Sequence, residues 1–442
     1  LTLLGIGAIV GAGIFVLTGV AAAKYAGPAV VLSFVVSGFA CAMAALCYAE
    51  FAAMIPVAGS AYSYAYATMG ELVGWIVGWD LVLEYAVASA AVAVGWSGYL
   101  RMILNGLGIH LPLALTHAPG SVPGAIIDLP ALIIVLIVTA ILYVGISESA
   151  RFNSIIVAVK LIVIGIVIVV GAFYIRPKNW TPFVPFGWSG IMKGAAIIFL
   201  AYIGFDAVST AAEEVVDPKR DLPIGILASL FVCTLLYVLV AGVVTGMAPA
   251  RTIDLNAPLA SAFVIRGLNA VSGIVSLGAV AGLTSVLLVL LFGQSRIFFA
   301  ISRDGLLPAA FSRVHPRFKT PYIPTVLTGI AVGVAAALLP IQEIAELTNI
   351  GTLFAFILVC LGIWILRHVE PGLNRPFRTP LVPLVPILGT LFCGYLMASL
   401  PIVTWIRFFV WMAVGLIIYF NYGRFHSRVS SEHDRVARAS TG

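Results

Sequence analysis

Apolar positions in this chain neither alternate nor keep to one helical face. They run on. Stretches of about 20 residues with few charges succeed one another, parted by short segments that carry Pro, Gly, Lys and Arg. A helix rises about 1.5 Å per residue, so about 20 apolar residues cross the hydrocarbon of a bilayer. Such runs cover 1–20, 29–54, 71–104, 129–145, 155–175, 189–210, 222–247, 269–301, 323–339, 344–366, 382–400 and 405–422. The pattern predicts an all-α polytopic membrane protein with 12 transmembrane helices.

Two of the runs are interrupted. The first holds Gly5, Gly7, Gly11 and Gly13, and each glycine costs a helix about 0.8–1.0 kcal/mol against alanine. A loosened backbone in hydrocarbon leaves amides and carbonyls without partners, at several kcal/mol each. A ligand with a negative and a positive end would satisfy them. The sixth run is broken at Tyr202-Ile203-Gly204-Phe205-Asp206. Each interruption opens a set of five spans whose third member is unusually long. Five is odd, so the second set is inverted relative to the first. The organisation predicted is a 5+5 inverted repeat with discontinuous helices 1 and 6, plus two C-terminal helices. Its parts are 1–175 (helices 1–5), 189–368 (helices 6–10), 380–424 (helices 11–12) and a cytoplasmic tail, 425–442. Paired interrupted helices point to a transporter's central site; close packing is the competing reason for glycine at either place.

Composition agrees. At 62% hydrophobic and 10% charged residues, no soluble domain is expected. The net charge of +6 would suggest nucleic acid in a soluble protein. Here Lys and Arg gather in one set of loops and the tail, as the positive-inside bias requires, and place both termini in the cytoplasm. The expected location is the plasma (inner) membrane, with the lipid bilayer as partner and no nucleic acid. Because Leu1 already lies within a span, a segment before it is expected. The five cysteines sit in apolar runs without metal spacing, and no cofactor or metal is expected. No clustered nucleophile and base suggests an enzyme.

Several residues stand out by position. Lys160 lies within the fifth span, nine residues past Arg151, or about 13 Å along a helix. It reads as a proton-accepting lysine or as one that snorkels. Glu84 lies near the middle of the third span and Asp80 one turn earlier on the same face. Either is a contact for a basic substrate side chain, a protonated acid, or half of a pair. Leu290 lines a side-chain pocket or packs. Asp206 is expected to satisfy freed amides. Arg296, Arg303 and Asp304 suit a cytoplasmic gate or plain inside charge. Tyr62, Tyr64 and Tyr66 suggest an interfacial helix, the loop 248–266 a short amphipathic helix, and Trp75, Trp79 and Trp96 packing or interfacial positions. His110 and His117 read as solvated.

The stretch Gly7-Ala8-Ile9-Val10-Gly11-Ala12-Gly13-Ile14-Phe15 resembles the first-helix signature of amino acid–polyamine–organocation (APC) permeases. Tyr202 to Asp206, Glu213-Glu214, Asp217-Pro218 and Pro223-Ile224-Gly225-Ile226 resemble the cationic amino acid transporter branch. So do Arg296-Ile297-Phe298-Phe299-Ala300, Arg303 to Pro308, and Trp405 to Gly423. The resemblance covers nearly the whole chain. It implies the APC-like repeat and amino acid transport, with an amino acid and a proton as partners.

It further implies that amides around Gly11, Ala12 and Gly13 hold a substrate carboxylate. The second break, with Leu200, Ala201 and Ile203, and Ile9 in the first, supplies carbonyls for the amino group. Ala12 stands where the family often carries Ser or Thr, and Leu200 where an aromatic residue is common. By the same resemblance Lys160 occupies the place of sodium in sodium-coupled relatives. There it faces the carbonyls of Gly7 and Val10 and the hydroxyls of Thr284 and Ser285, and it argues for the proton-coupled bacterial type. The substrate implied is cationic (with Glu84) or small and neutral, such as alanine (with Leu290). An uncoupled exchanger and a non-transporting sensor are the alternatives.

Overall fold

The computed structural model describes residues 2–54, 62, 65–66, 69–145, 150–205, 208, 215 and 217–427, the side chains of 150–153 excepted. Asp206, Glu213, Glu214, Tyr64, the tail from residue 428 and the side chain of Arg151 lie outside the described residues.

The first apolar run is discontinuous. Helix α1, Thr2–Ile9, stops where Val10 and Gly11 leave helical geometry. The chain then rewinds through a wide turn at Gly13–Leu17, a regular turn at Thr18–Ala21 and a second wide turn at Ala22–Ala26. Gly27 closes the segment at φ 62°, where a side chain would also strike Pro185 at 2.4 Å. Helix α2 is Val30–Met54, α3 Glu71–Gly106, α4 Leu129–Val144 and α5 Ala150–Ala172.

The second half opens with α6, Gly187–Ile198, which tightens over Phe199–Tyr202 and then breaks. Ile203 is extended at ψ 140°, and Gly204 takes φ 113°, a region closed to most side chains. Then come α7 Pro218–Met247, α8 Asn269–Arg303, α9 Tyr322–Leu338, α10 Ile341–Val369, α11 Leu384–Ala398 and α12 Ile402–Ile418. All regular structure among the described residues is helical.

Seven helices among the described residues are long and apolar enough to cross a membrane, the first of them running Gly13–Met54. Four shorter apolar helices are Leu129–Val144, Gly187–Tyr202, Tyr322–Leu338 and Leu384–Ala398. On α5, Ile155, Ile162 and Val169 recur every two turns and are exposed, the stripe expected toward lipid.

Where helices meet, small residues let backbones close up, as packing in lipid requires. Added side-chain carbons would lie 2.3 Å from Val16 at Gly95, 2.2 Å from Thr139 at Gly329 and 2.3 Å from Trp79 at Gly415. The long α3 lies against α8 and α10, and α2 lies against α7. Ser33 and Ser37 on α2 donate to the carbonyls of Ile191 (2.8 Å) and Ala195 (2.6 Å), tying α2 to α6.

Three expectations need correction. The 248–266 loop does hold a helix, Pro258–Ile265, but residues 258–263 are all buried, so it plugs rather than floats. Tyr62 is no interfacial anchor: it is buried over Gly78, and its hydroxyl donates to Asp304 at 2.8 Å. His117 is half-buried and bonds Arg101, which in turn pairs with Asp254 at 2.9 Å. Burial and the Arg101 charge hold its imidazole below the ordinary 6.5.

Candidate functional site

The two breaks face one another. A carbon added at Gly13 would lie 2.2 Å from the Cα of Ala201, and one added at Gly204 would lie 2.8 Å from the backbone of Ala8. Glycine is therefore needed twice for contact, once on each strand of unwound chain, and a third time for φ at Gly204 itself.

A helix end leaves its last carbonyls without intrahelical donors. Three of those of α1 have partners that can be named. Ile6 O accepts from Val10 N at 2.8 Å. Gly7 O accepts from Lys160 Nζ at 3.0 Å. Ile9 O accepts from the hydroxyl of Tyr237, on α7, at 2.8 Å. The same hydroxyl lies 2.8 Å from Ala201 O, in the facing break. A phenol has one proton, so it serves one of these two carbonyls at a time. Two further buried tyrosines secure the approaches: Tyr99 donates to Phe15 O (2.6 Å) and Tyr202 to Phe34 O (2.7 Å). No sequence motif pointed to Tyr237 or Tyr99; an isolated buried tyrosine in an apolar run gives only the hint that its hydroxyl needs a partner.

Lys160 is 1% exposed and does not snorkel. Its stem lies against a glycine of α8. Gly282 on α8 sits 3.0 Å from Lys160 Cγ by the position of an added carbon, and Gly278 one turn away receives Val163. Its ammonium sits at the negative end of the α1 dipole, where a cation gains roughly 0.3–1 kcal/mol, or up to about 2 when partly buried. Thus α5 is braced against α1 and α8 by one side chain. Thr284 and Ser285 turn their hydroxyls to their own helix, at Val280 O (2.7 Å) and Gly282 O (3.3 Å). Thr284 also accepts from Trp96 Nε1 at 3.0 Å.

The start of the second half of helix 1 carries Ala12 at the cap position, without a side-chain hydrogen bond. Gly11 stands beside Val286 of α8, 3.2 Å from an added carbon. In the other break Leu200 O takes the amide of Ile203 at 3.2 Å. Ala12, Leu200 and Ala201 are buried, Ile203 and Leu290 partly so, and Val10 is fully enclosed. Glu84 is 3% exposed. Arg296 lies over the ring of Phe292 at 3.9 Å. Among the described residues no group of three or more His, Cys, Asp or Glu is placed to hold a metal ion.

The matching family model is described as amino acid permease, and it spans residues 1–420. The chain belongs to the amino acid permease family. Within the APC superfamily this permease has a branch like the cationic amino acid transporters, and it is a transporter rather than an enzyme. It is 52% identical over 433 residues to a branched-chain amino acid permease of Bacillus subtilis, covering 97% of this chain and 93% of the relative. It is 50% identical over 427 residues to the methylthioribose transporter of the same organism, with the same coverage. It is 33% identical over 558 residues to cationic amino acid transporter 4 of Mus musculus, covering 97% and 87%. The permease is an integral membrane protein of amino acid transport.

Proposed function

We propose that the permease is a secondary-active, proton-coupled symporter of L-amino acids that works by alternating access. The observation that carries the reading is the accounting of α1's terminal carbonyls. Two of them, Gly7 O and Ile9 O, are met by a lysine and a tyrosine from other helices, beside a second break in contact with the first. In this reading the amides of Gly11, Ala12 and Gly13 take the substrate carboxylate, because a half-helix N-terminus favours an anion. The carbonyls of Ile9, Leu200, Ala201 and Ile203 take the ammonium. Helices 1–5 and 6–10 form the inverted repeats, and α1, α2, α6 and α7 rock against α3, α4, α8 and α9.

Lys160 carries the coupling. With its proton it clamps α5 to the end of α1 by a charge-assisted hydrogen bond, worth roughly 1.5–3 kcal/mol. Without it the clamp weakens and α1 is released. Gly7 and Val10 on α1, with Thr284 and Ser285 on α8, line its surroundings. The apolar neighbours Leu200, Val286 and Leu290 suit a neutral side chain, in keeping with the name of the branched-chain relative. Glu84 would serve a cationic one.

Two measurements test this. A thermal-shift screen of the twenty amino acids, with methylthioribose added because of the second relative, identifies the substrate. Uptake into proteoliposomes under an imposed pH gradient tests Lys160→Ala. The expected result is counterflow without accumulation above equilibrium. Accumulation that still follows the gradient would remove Lys160 from the coupling. Substrate binding with no counterflow in the parent would make the protein a sensor.

A further inference from the structure

Asp80 lies on α3 with 0% exposure, and neither carboxyl oxygen has a hydrogen-bond partner among the described residues. It is set against α10 at Gly351. A carbon added to that glycine would lie 2.6 Å from Asp80 Oδ1 and 3.4 Å from Oδ2. Gly351 thus leaves a hollow that the carboxyl fills. Among the described residues no ion pair reaches it. Glu84, one turn on along α3, is the nearest acid in sequence, and α10 presents the glycine. An ionised carboxylate in such a place costs several kcal/mol, which favours the neutral acid.

The helix that covers it is bound elsewhere. Gln342 and Glu346, on one end of α10, hydrogen-bond Tyr25, in the wide turn that ends helix 1. Asn349 donates to Ile197 O of α6 at 2.7 Å. At the other end Arg367 grips Glu50 of α2 with bonds of 3.1 and 2.6 Å. By its polar contacts α10 therefore belongs with helices 1, 2 and 6. Helix α12 bridges the two groups: among the described residues it is hydrogen-bonded to α3 through Trp75 and Trp79, and to α10 near its start, through Thr404 and Arg407. That leaves the α3–α10 seam free to part toward the Arg367 end.

We propose that Asp80 is a second proton-carrying site of the permease, neutral while the α3–α10 seam is shut and ionised when it opens. The statement rests on the rocking motion proposed above. When helices 1, 2 and 6 swing, they draw α10 from α3 and water reaches the carboxyl. The O–H bond then breaks, the proton passes to water, and a carboxylate remains. Closure of the seam requires that a proton return. Proton movement is thereby tied to the position of α10 as well as to the clamp at Lys160, and accumulation needs both.

The first test is infrared spectroscopy of membrane-reconstituted full-length protein carrying carbon-13 carboxyl-labelled aspartate. At neutral pH the parent should show the carbonyl band of a protonated, label-sensitive aspartic acid. Asp80→Asn should lose it, and Gly351→Ala, which crowds Oδ1, should shift it. A parent without that band, or a band unmoved by both variants, overturns the proposal. Should Asp80→Asn fold poorly, the Gly351→Ala shift decides. The second test uses tritiated L-leucine in proteoliposomes. A gradient of about one pH unit sustains at most about tenfold accumulation per proton coupled. Asp80→Asn should keep counterflow within about twofold of the parent, while its gradient-driven accumulation ratio falls at least about threefold. Accumulation equal to the parent's overturns the role of Asp80. Counterflow in the parent bears on the transport reading alone, so the two failures are distinct.

Discussion

Replacing Gly13 by alanine isolates the contact between the two breaks. The new methyl would start 2.2 Å from Ala201 Cα and 2.3 Å from its Cβ, whereas ordinary contact begins near 3.4 Å. The segments must part by about 1.2 Å. The atom struck is backbone, so no side chain can swing away. Overpacking of this kind costs about 1–3 kcal/mol. A parting of that size also stretches the 2.8 Å link from Tyr237 to Ala201 O. If binding uses both breaks at once, the loss falls on affinity, by about 5- to 150-fold. The assay is calorimetric titration of detergent-purified protein with L-leucine, beside thermal unfolding. Gly165→Ala, on α5 with nothing within 4 Å, is the control and should gain roughly 0.5–1 kcal/mol of stability. Gly13→Ala that binds as tightly as the control would refute the idea that the facing breaks form one site.

Tyr237→Phe removes the donor to Ile9 O and Ala201 O, leaving buried carbonyls unpaired. The expected loss is about 1–3 kcal/mol of stability, read by thermal unfolding, with weaker substrate binding. On the loop side, the His117 imidazole is held below 6.5, so the fold favours its neutral form. The unfolded chain then binds more protons than the folded one as pH falls below about 6.5, and stability drops in that direction. His117→Gln should flatten the dependence of the unfolding midpoint between about pH 7 and about pH 5.5; an unchanged slope would place the titrating group elsewhere.

The helical class and the places of the breaks were legible because lipid forces both. Long apolar runs have no other use, and clustered glycine is costly in a helix unless the chain turns there. Lys160 was legible for the same reason: a charge so far into an apolar run needs a partner, and Gly7 O is one. What was not legible is what other helices bring from a distance. Tyr237 lies 228 residues from Ile9, and nothing local to it distinguishes it from a packing tyrosine. The contact at Gly282 is visible only once α8 is laid on α5. The partner of His117 comes from α3, and the burial of Pro258–Ile265 depends on neighbours the loop's own composition does not name. Asp80 was noticed but not its isolation, which depends on a glycine across the seam.

The hydroxyl that stands between the two breaks has a consequence of its own. With one hydrogen and two oxygens at equal reach, it leaves one of the two carbonyls without its proton, whichever way it turns. A primary ammonium brings three. The pair of carbonyls therefore has room for one more donor, which on the proposed reading the amino end of a substrate supplies.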